Sequence, residues 1–264
     1  MTSICLDHLS LVDLTALELI HVATELECAR VSLFVTPLPL SPSLDLVNDR
    51  PAKAEVLQAL RAGRLGVGIV EPFMLGEEPD WPLLERSASL AAELGGTINA
   101  LGFDPDATRL QDSMGRLATI AAAVGVPMTI EAYPLSQVRT QHDALVLAMT
   151  CGSHVGLCVD CLHVIRAGGG WGDVAALPPE RIRHVQLNDG PLAAPDDRFQ
   201  EAVAGRFPPG EGEFNLSELL PHLPGSAVIA VEAPFIAPAG MSPLDRGRVL
   251  VDATRRLLAI NQPQ

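Results

Sequence analysis

Eight short runs rich in β-branched and aliphatic residues recur along the chain at intervals of about thirty residues, the rhythm that a repeated strand–helix unit demands. They lie near Ile4–His8, Arg30–Thr36, Gly66–Phe73, Thr97–Phe103, Pro127–Tyr133, Val155–Asp160, Ile182–Asp189 and Ala227–Ala233. Helical patterns fill the gaps. The clearest is Leu83–Leu94, where Leu83, Leu84, Leu90, Ala91 and Leu94 stand near helical spacing. Leu14–Leu26, Lys53–Ala62, Ala107–Val124, Gln141–Cys151 and Leu216–Leu223 read the same way, and Pro243–Ile260 closes the chain as a helix that can pack on the first unit. No low-complexity linker or charge block divides the chain. Residues 1–264 therefore read as a single domain, a (β/α)8 TIM barrel of eight parallel strands inside a ring of helices, and 264 residues suit that architecture. A doubly wound open sheet shares the alternation, but no glycine fingerprint follows the first strand.

Composition supports the barrel and narrows the function. Apolar residues make up 48% of the chain and aromatics only 4%, the aliphatic composition of parallel strands covered by helices. A net charge of −14 argues against a nucleic-acid surface, which needs clustered cations. No apolar run reaches membrane-spanning length, and the N-terminus reads as lacking a basic leader. Cys5, Cys28, Cys151, Cys158 and Cys161 form no disulfide framework, so a cytoplasmic protein is expected. Cys158 and Cys161 make a lone CxxC. A zinc ribbon needs a second one, and on a strand the two would face opposite ways. The partner implied is a small-molecule substrate, and homo-oligomerisation stays open.

Four successive strands of the second half carry a polar residue late in the run: Glu131 in TIEAYP, Asp160 in GLCVDCLH, Gln186 in RHVQLNDG and Glu232 in AVIAVEAP. Each is flanked by apolar residues, so period-two alternation turns the polar side chains to the barrel axis and their neighbours to the helices. Three carboxylates converging at one mouth are costly unless neutralised. One divalent metal ion resolves this, and oxygen donors favour Mn or Mg over Zn. The expected ligands are Glu131, Asp160, Gln186 and Glu232. His184 shares the inward parity one layer deeper and is expected in the core or behind the ligands. Asn188 and Asp189 either support the site or form an ordinary turn. Glu71 and His8 lie near strand ends with no role fixed. Gly168–Trp171 reads as a flexible connection, with a phosphate loop as the other reading.

These motifs resemble the xylose-isomerase-like TIM barrels grouped as sugar-phosphate isomerases and epimerases. That family binds one divalent metal through Glu, Asp, His and Glu from four consecutive late strands. Glu131, Asp160 and Glu232 match three of the positions, and Gln186 stands where the family often has His. The family's Asp-x-x-His reads here as Asp160-Cys-Leu-His163, and its Arg-x-x-Pro-Gly-x-Gly as Arg206-Phe-Pro-Pro-Gly210-Glu-Gly212. The resemblance implies substrate contacts for His163 and Arg206, and an acid–base role for Glu131 and Glu232.

The function implied is a metal-dependent isomerase or epimerase acting on a keto-sugar or related polyol through an enediolate. A lyase or dehydratase on a similar hydroxy-ketone uses the same groups, and a non-catalytic barrel subunit is the third reading.

Overall fold

A computed structural model describes residues 3–260. Its strands are β1 (Ile4–Leu6), β2 (Arg30–Phe34), β3 (Gly66–Leu75), β4 (Thr97–Gly102), β5 (Met128–Glu131), β6 (Val155–Asp160), β7 (Ile182–Leu187) and β8 (Val228–Val231). All pair in parallel with their sequence neighbours, and β8 pairs with β1 through Ile4↔Ile229 and Leu6↔Val231, closing the barrel. Each sequence-predicted strand is present, shifted at its ends by a few residues.

The outer helices are α1 (Ala16–Glu25), α2 (Arg50–Gly63), α3 (Trp81–Leu94), α4 (Ala107–Ala123), α5 (Gln141–Cys151), α6 (Cys161–Arg166), α7 (Trp171–Ala175), α8 (Arg198–Ala204) and α9 (Pro243–Ile260). Their starts are written locally. Thr15 and Thr140 cap α1 and α5 in capping boxes with Glu18 and Asp143, and Asp49 and Asp80 cap α2 and α3 just before a proline. One expectation fails. Leu216–Leu223 is not an α-helix but two 3-10 turns, Leu216–Glu218 and Leu220–His222, because Pro221 has no N–H to continue the ladder.

Inside the barrel the lower layer is small and polar. Gly68 faces Cys5, Ser32 and His184, and a Cβ there would stand 2.7 Å from the Cys5 sulfur and 2.8 Å from the Ser32 hydroxyl. The tight packing at this level keeps the layer above it, at the C-terminal ends of the strands, as the floor of an open mouth, where barrel enzymes place their chemistry.

Candidate active site

β5 and β6 terminate on Glu131 and Asp160, and Glu232 directly follows β8. Strand pairing sets Asp160 level with Gln186, after a register shift between Leu157 and Cys158. The alternation rule thus delivers all four predicted residues to the floor, where each is nearly fully buried. His184 lies below them, 3.4 Å from Asp7, in the deeper position expected of it.

Arg206 joins them from the loop between α8 and β8. Its guanidinium is buried, and one nitrogen, Nη1, donates to Asp160 Oδ2 (2.6 Å), to the Glu232 carbonyl (2.9 Å) and to Glu232 Oε2 (3.0 Å). Nε donates to the Ala202 carbonyl at 2.8 Å. A lone Arg in a Pro/Gly-rich loop is ordinarily solvated, but the motif match gives Arg206 a substrate contact, and the structure folds it into the floor. The loop is held by Asp189, whose carboxylate accepts from the backbone N–H groups of Gly210 (3.1 Å) and Phe214 (3.0 Å), beside a backbone bridge to Phe207. Gly210 has φ +85°, and a Cβ on Gly212 would collide with the Asp189 carboxylate at 2.4 Å. Asn188 braces Asp160, donating to both carboxylate oxygens at 3.2 Å while accepting from the Leu162 N–H. Both residues after β7 therefore serve the site.

His163 sits in the first turn of α6, whose N-cap is Asp160. Its Nε2 is 3.4 Å from Glu131 Oε1 and its Nδ1 4.0 Å from Asp160 Oδ1. Burial holds its pKa down to about 4, so it is neutral at physiological pH. Glu131, Asp160 and His163 each offer a ligand atom within 4.8 Å of the others. Gln186 behaves differently from the donor expected of it. Its amide nitrogen donates to Glu232 Oε1 (2.9 Å) and Asp7 Oδ2 (3.1 Å), and its oxygen accepts from the Cys158 thiol (3.1 Å). The two carboxylates dictate that orientation, since the reverse would set oxygen against oxygen. To ligate a metal, Gln186 has to turn its amide over.

Two floor residues were not singled out by the sequence reading. Asn99 on β4 donates to Glu71 Oε1 (2.9 Å) and Glu131 Oε2 (2.5 Å), and Thr129 donates to its oxygen. Asp7, after β1, accepts from Ser32, Gln186 and Cys5. The alternation that marks Glu131 also marks Asn99 between Ile98 and Ala100, so the signal was present in the first half. Glu71 joins the site through Asn99. His8 does not: its Nε2 bonds the Leu14 carbonyl and its Nδ1 accepts from the Phe34 N–H, clamping loop to strand. The amides of the Gly168–Trp171 turn are used locally, Gly169 N–H on the Val164 carbonyl and Gly170 N–H on Asp173. Cys158 and Cys161 are free thiols.

Electrostatics set the chemistry. Asp7, Glu71, Glu131, Asp160 and Glu232 are five buried carboxyl groups facing one guanidinium among the described residues. Burial raises Asp160, but Arg206 and His163 outweigh it and hold the carboxyl at about 2. The others go the opposite way. Burial, then the charges of Glu71 and Asp160, push Glu131 well up; burial pushes Glu232 well up against the pull of Arg206; and burial raises Glu71 to about 7. A floor so rich in anions and so short of cations fits a divalent ion, with Glu131, Asp160 and His163 already clustered.

Above the floor opens a cavity of about 390 Å3 reached by Glu71, Glu131, His163, Arg206 and Glu232. Asp160 and Gln186 lie beneath it. No helix among the described residues is long and apolar enough to cross a membrane.

Known proteins share this frame. A 3-dehydroshikimate dehydratase of Pseudomonas aeruginosa is 32% identical over 147 residues, which cover 52% of this chain and 23% of that protein, so the chain spans less than a quarter of that relative's length. The structure of an IolI protein with a binding zinc atom superposes with a TM-score of 0.78 at 14% identity, covering 100% of both chains. A D-psicose 3-epimerase solved in the presence of D-fructose gives a TM-score of 0.73 at 13% identity, covering 97% of this chain and 98% of that chain. Structural likenesses at such identity speak for the fold. The model of the xylose isomerase-like TIM barrel matches residues 22–237, and the chain belongs to that family.

Proposed function

We propose that the protein is a divalent-metal-dependent enzyme that moves a proton at the carbon beside a carbonyl, an isomerase or epimerase of a keto-sugar or related hydroxy-ketone. The observation that carries this is the pair Glu131 and Glu232. They rise from strands three apart in the eight-stranded ring, both reach the cavity, and burial pushes both carboxyls above the usual carboxylate range. Two such groups on different sides of a substrate can take a proton from one face and return one to another. In this reading neutral His163 and Arg206, whose charge is shared with Asp160 and Glu232, orient substrate oxygens.

The residues that would hold the ion are Glu131, Asp160 and Glu232, with His163 as the nearest further donor and Gln186 once its amide has turned. A bound ion of the Mn or Mg type would polarise the substrate carbonyl and stabilise charge developing on its oxygen.

A dehydratase is the second reading, favoured by the dehydratase relative. Loss of a β-hydroxyl begins with the same proton abstraction. Against that relative's own substrate, 3-dehydroshikimate bears a carboxylate, while the cavity is lined by no Lys and by no Arg other than Arg206, which is already engaged by Asp160 and Glu232.

The test is Mn-loaded protein incubated with hydroxy-ketones in deuterated water and followed by NMR. Deuterium at the carbon beside the carbonyl supports proton transfer. Water loss without reversible exchange moves the assignment to the dehydratase, and an inert protein across ketoses and smaller hydroxy-ketones removes both.

A further inference from the structure

We infer that the substrate is a neutral hydroxy-ketone with an apolar far end, the size of an aromatic ring or short alkyl chain, rather than a free sugar. This rests on the proton-transfer reading above and adds the class of molecule the mouth admits.

The cavity has two unlike halves. Its floor is ionisable: Glu71, Glu131, His163, Arg206 and Glu232. Its walls are apolar, and Leu40, Met74, Leu101, Phe103, Leu135 and Phe199 stand for them. These come from the segment after β2, from the ends of β3 and β4 and the residue after β4, from the loop after β5 and from α8, so the apolar surface is not a stripe on one side of the mouth. Leu40, Met74, Leu135 and Phe199 are 40%, 49%, 45% and 56% exposed. Exposed apolar side chains scattered singly need no explanation, but four gathered on one concave site that ends on ionisable groups mark a place where an apolar surface is to be covered.

A free sugar fits this poorly. Its hydroxyls run along its whole length, and those leaving water against leucine and phenylalanine would find no partner. A carboxylate or phosphate fits no better, because the lining offers no uncommitted cation and several acids. A molecule that is polar at one end only satisfies both halves. Its hydroxy-ketone reaches the floor, and its other end covers the walls. Helix α8 is fixed to present Phe199, since Glu201 on the same helix is bound bidentately by Arg166 at 2.6 and 2.8 Å, below the surface.

The experiment uses the Mn-loaded full chain and three probes: dihydroxyacetone, D-fructose and 1-hydroxy-4-phenylbutan-2-one. Calorimetry reads affinity and NMR in deuterated water reads exchange. The phenyl ketone is expected to bind about tenfold to a hundredfold more tightly than dihydroxyacetone, the gain from burying one ring. Phe199→Ser and Met74→Asn, both on exposed side chains that the fold does not need, are expected to shrink that ratio severalfold. Equal affinity for the two ketones, or tighter binding of fructose, overturns the inference; exchange on dihydroxyacetone in that case leaves the proton-transfer reading intact. Preference for the phenyl ketone with no exchange on any probe does the reverse. If sedimentation shows a dimer that Phe199→Ser dissociates, with the ligand ratio unchanged, the walls are covered by a second copy and the inference falls.

Discussion

Arg206 donates from Nη1 to Asp160 Oδ2 over 2.6 Å, so a residue of the last long loop completes the end of strand β6. Both groups are buried, and the only charges opposing the guanidinium at hydrogen-bond distance, among the described residues, are Asp160 and Glu232. Removing one member of such a pair leaves the other charge uncompensated, at a cost of about 3–5 kcal/mol. Arg206→Met is therefore expected to destabilise the chelator-treated protein by about that much in urea denaturation. Added Mn should recover more stability in the variant than in the wild type, because a bound ion replaces the lost cation. A change below about 1 kcal/mol would show the pair to be energetically idle.

Asp189 acts at one remove, by holding the loop that carries Arg206. Asp189→Ala strips the acceptors of Gly210 and Phe214 and is expected to cost about 1–3 kcal/mol. Hydrogen exchange should rise across residues 206–214 while β6 stays protected. Uniform loss of protection through the barrel would instead mark Asp189 as a global stability residue.

Much of this was legible in the sequence, for physical reasons that also explain what was not. Period-two alternation is a local property, so Glu131, Asp160, Gln186 and Glu232 could be placed on the floor without knowing the fold's dimensions. Strand rhythm likewise gave eight β/α units, and the closed parallel barrel bears this out. Rotation within a side chain is not local. Which end of the Gln186 amide faces Glu232 depends on Asp7, 179 residues away. The burial of Arg206 depends on a loop folding back under Asp189. Asn99 and Asp7 follow the same alternation as the second-half acids but lie in the half without recognised motifs. The Leu216–Leu223 segment misled because its apolar spacing outweighed Pro221.

His8 supplies a pH dependence. Burial holds it down to about 4, against the opposing pull of the Leu14 carbonyl and Asp7. The geometry agrees. Nδ1 accepts the Phe34 N–H, so the proton resides on Nε2, and a second proton would meet that N–H. The folded pKa lies below the unfolded value of about 6.5, so the unfolded chain binds more protons between them. The contribution is present above pH 6.5 and lost as pH falls toward 4, amounting to about 3 kcal/mol over the whole window. Comparing denaturation midpoints of wild type and His8→Gln from pH 7 to 4.5 checks this: the variant should show the shallower slope, and parallel slopes would place the dependence elsewhere.

His163 and Gln186 compete as further metal donors, and their variants separate them. If His163 ligates, His163→Ala should weaken Mn binding by about tenfold or more while Gln186→Ala acts only through lost packing. Should the amide turn to ligate, the order reverses, and Gln186→Ala also frees the Cys158 thiol from its acceptor, which infrared spectroscopy of the S–H stretch can follow. Calorimetric titration of both variants with Mn decides between them. Two unchanged affinities would leave the carboxylates as the whole ligand set.

Glu232→Gln tests the proton-transfer proposal most directly. Burial pushes the Glu232 carboxyl well above the usual carboxylate range, and both of its oxygens accept, Oε1 from Gln186 and Oε2 from Arg206. An amide has nearly the same volume but keeps only one acceptor side, the other becoming a donor. Its oxygen can accept from Arg206, while Gln186, now facing an amide, can turn over to accept from it at the expense of its bond to Asp7. Folding stability is therefore expected to change by only about 1 kcal/mol, one hydrogen bond's worth. The amide cannot cycle a proton, and turnover should fall about 10²- to 10⁴-fold, the usual contribution of a positioned acid or base. Isotope placement sharpens the reading. Wild type should wash deuterium from solvent into the carbon beside the carbonyl, and the variant should lose that exchange even where substrate still binds. Exchange that persists at the wild-type rate would assign the base to Glu131 or Glu71 and remove Glu232 from proton transfer. A deuteron carried from substrate to product without washout would instead keep Glu232 in place, as one end of a shuttle closed to water.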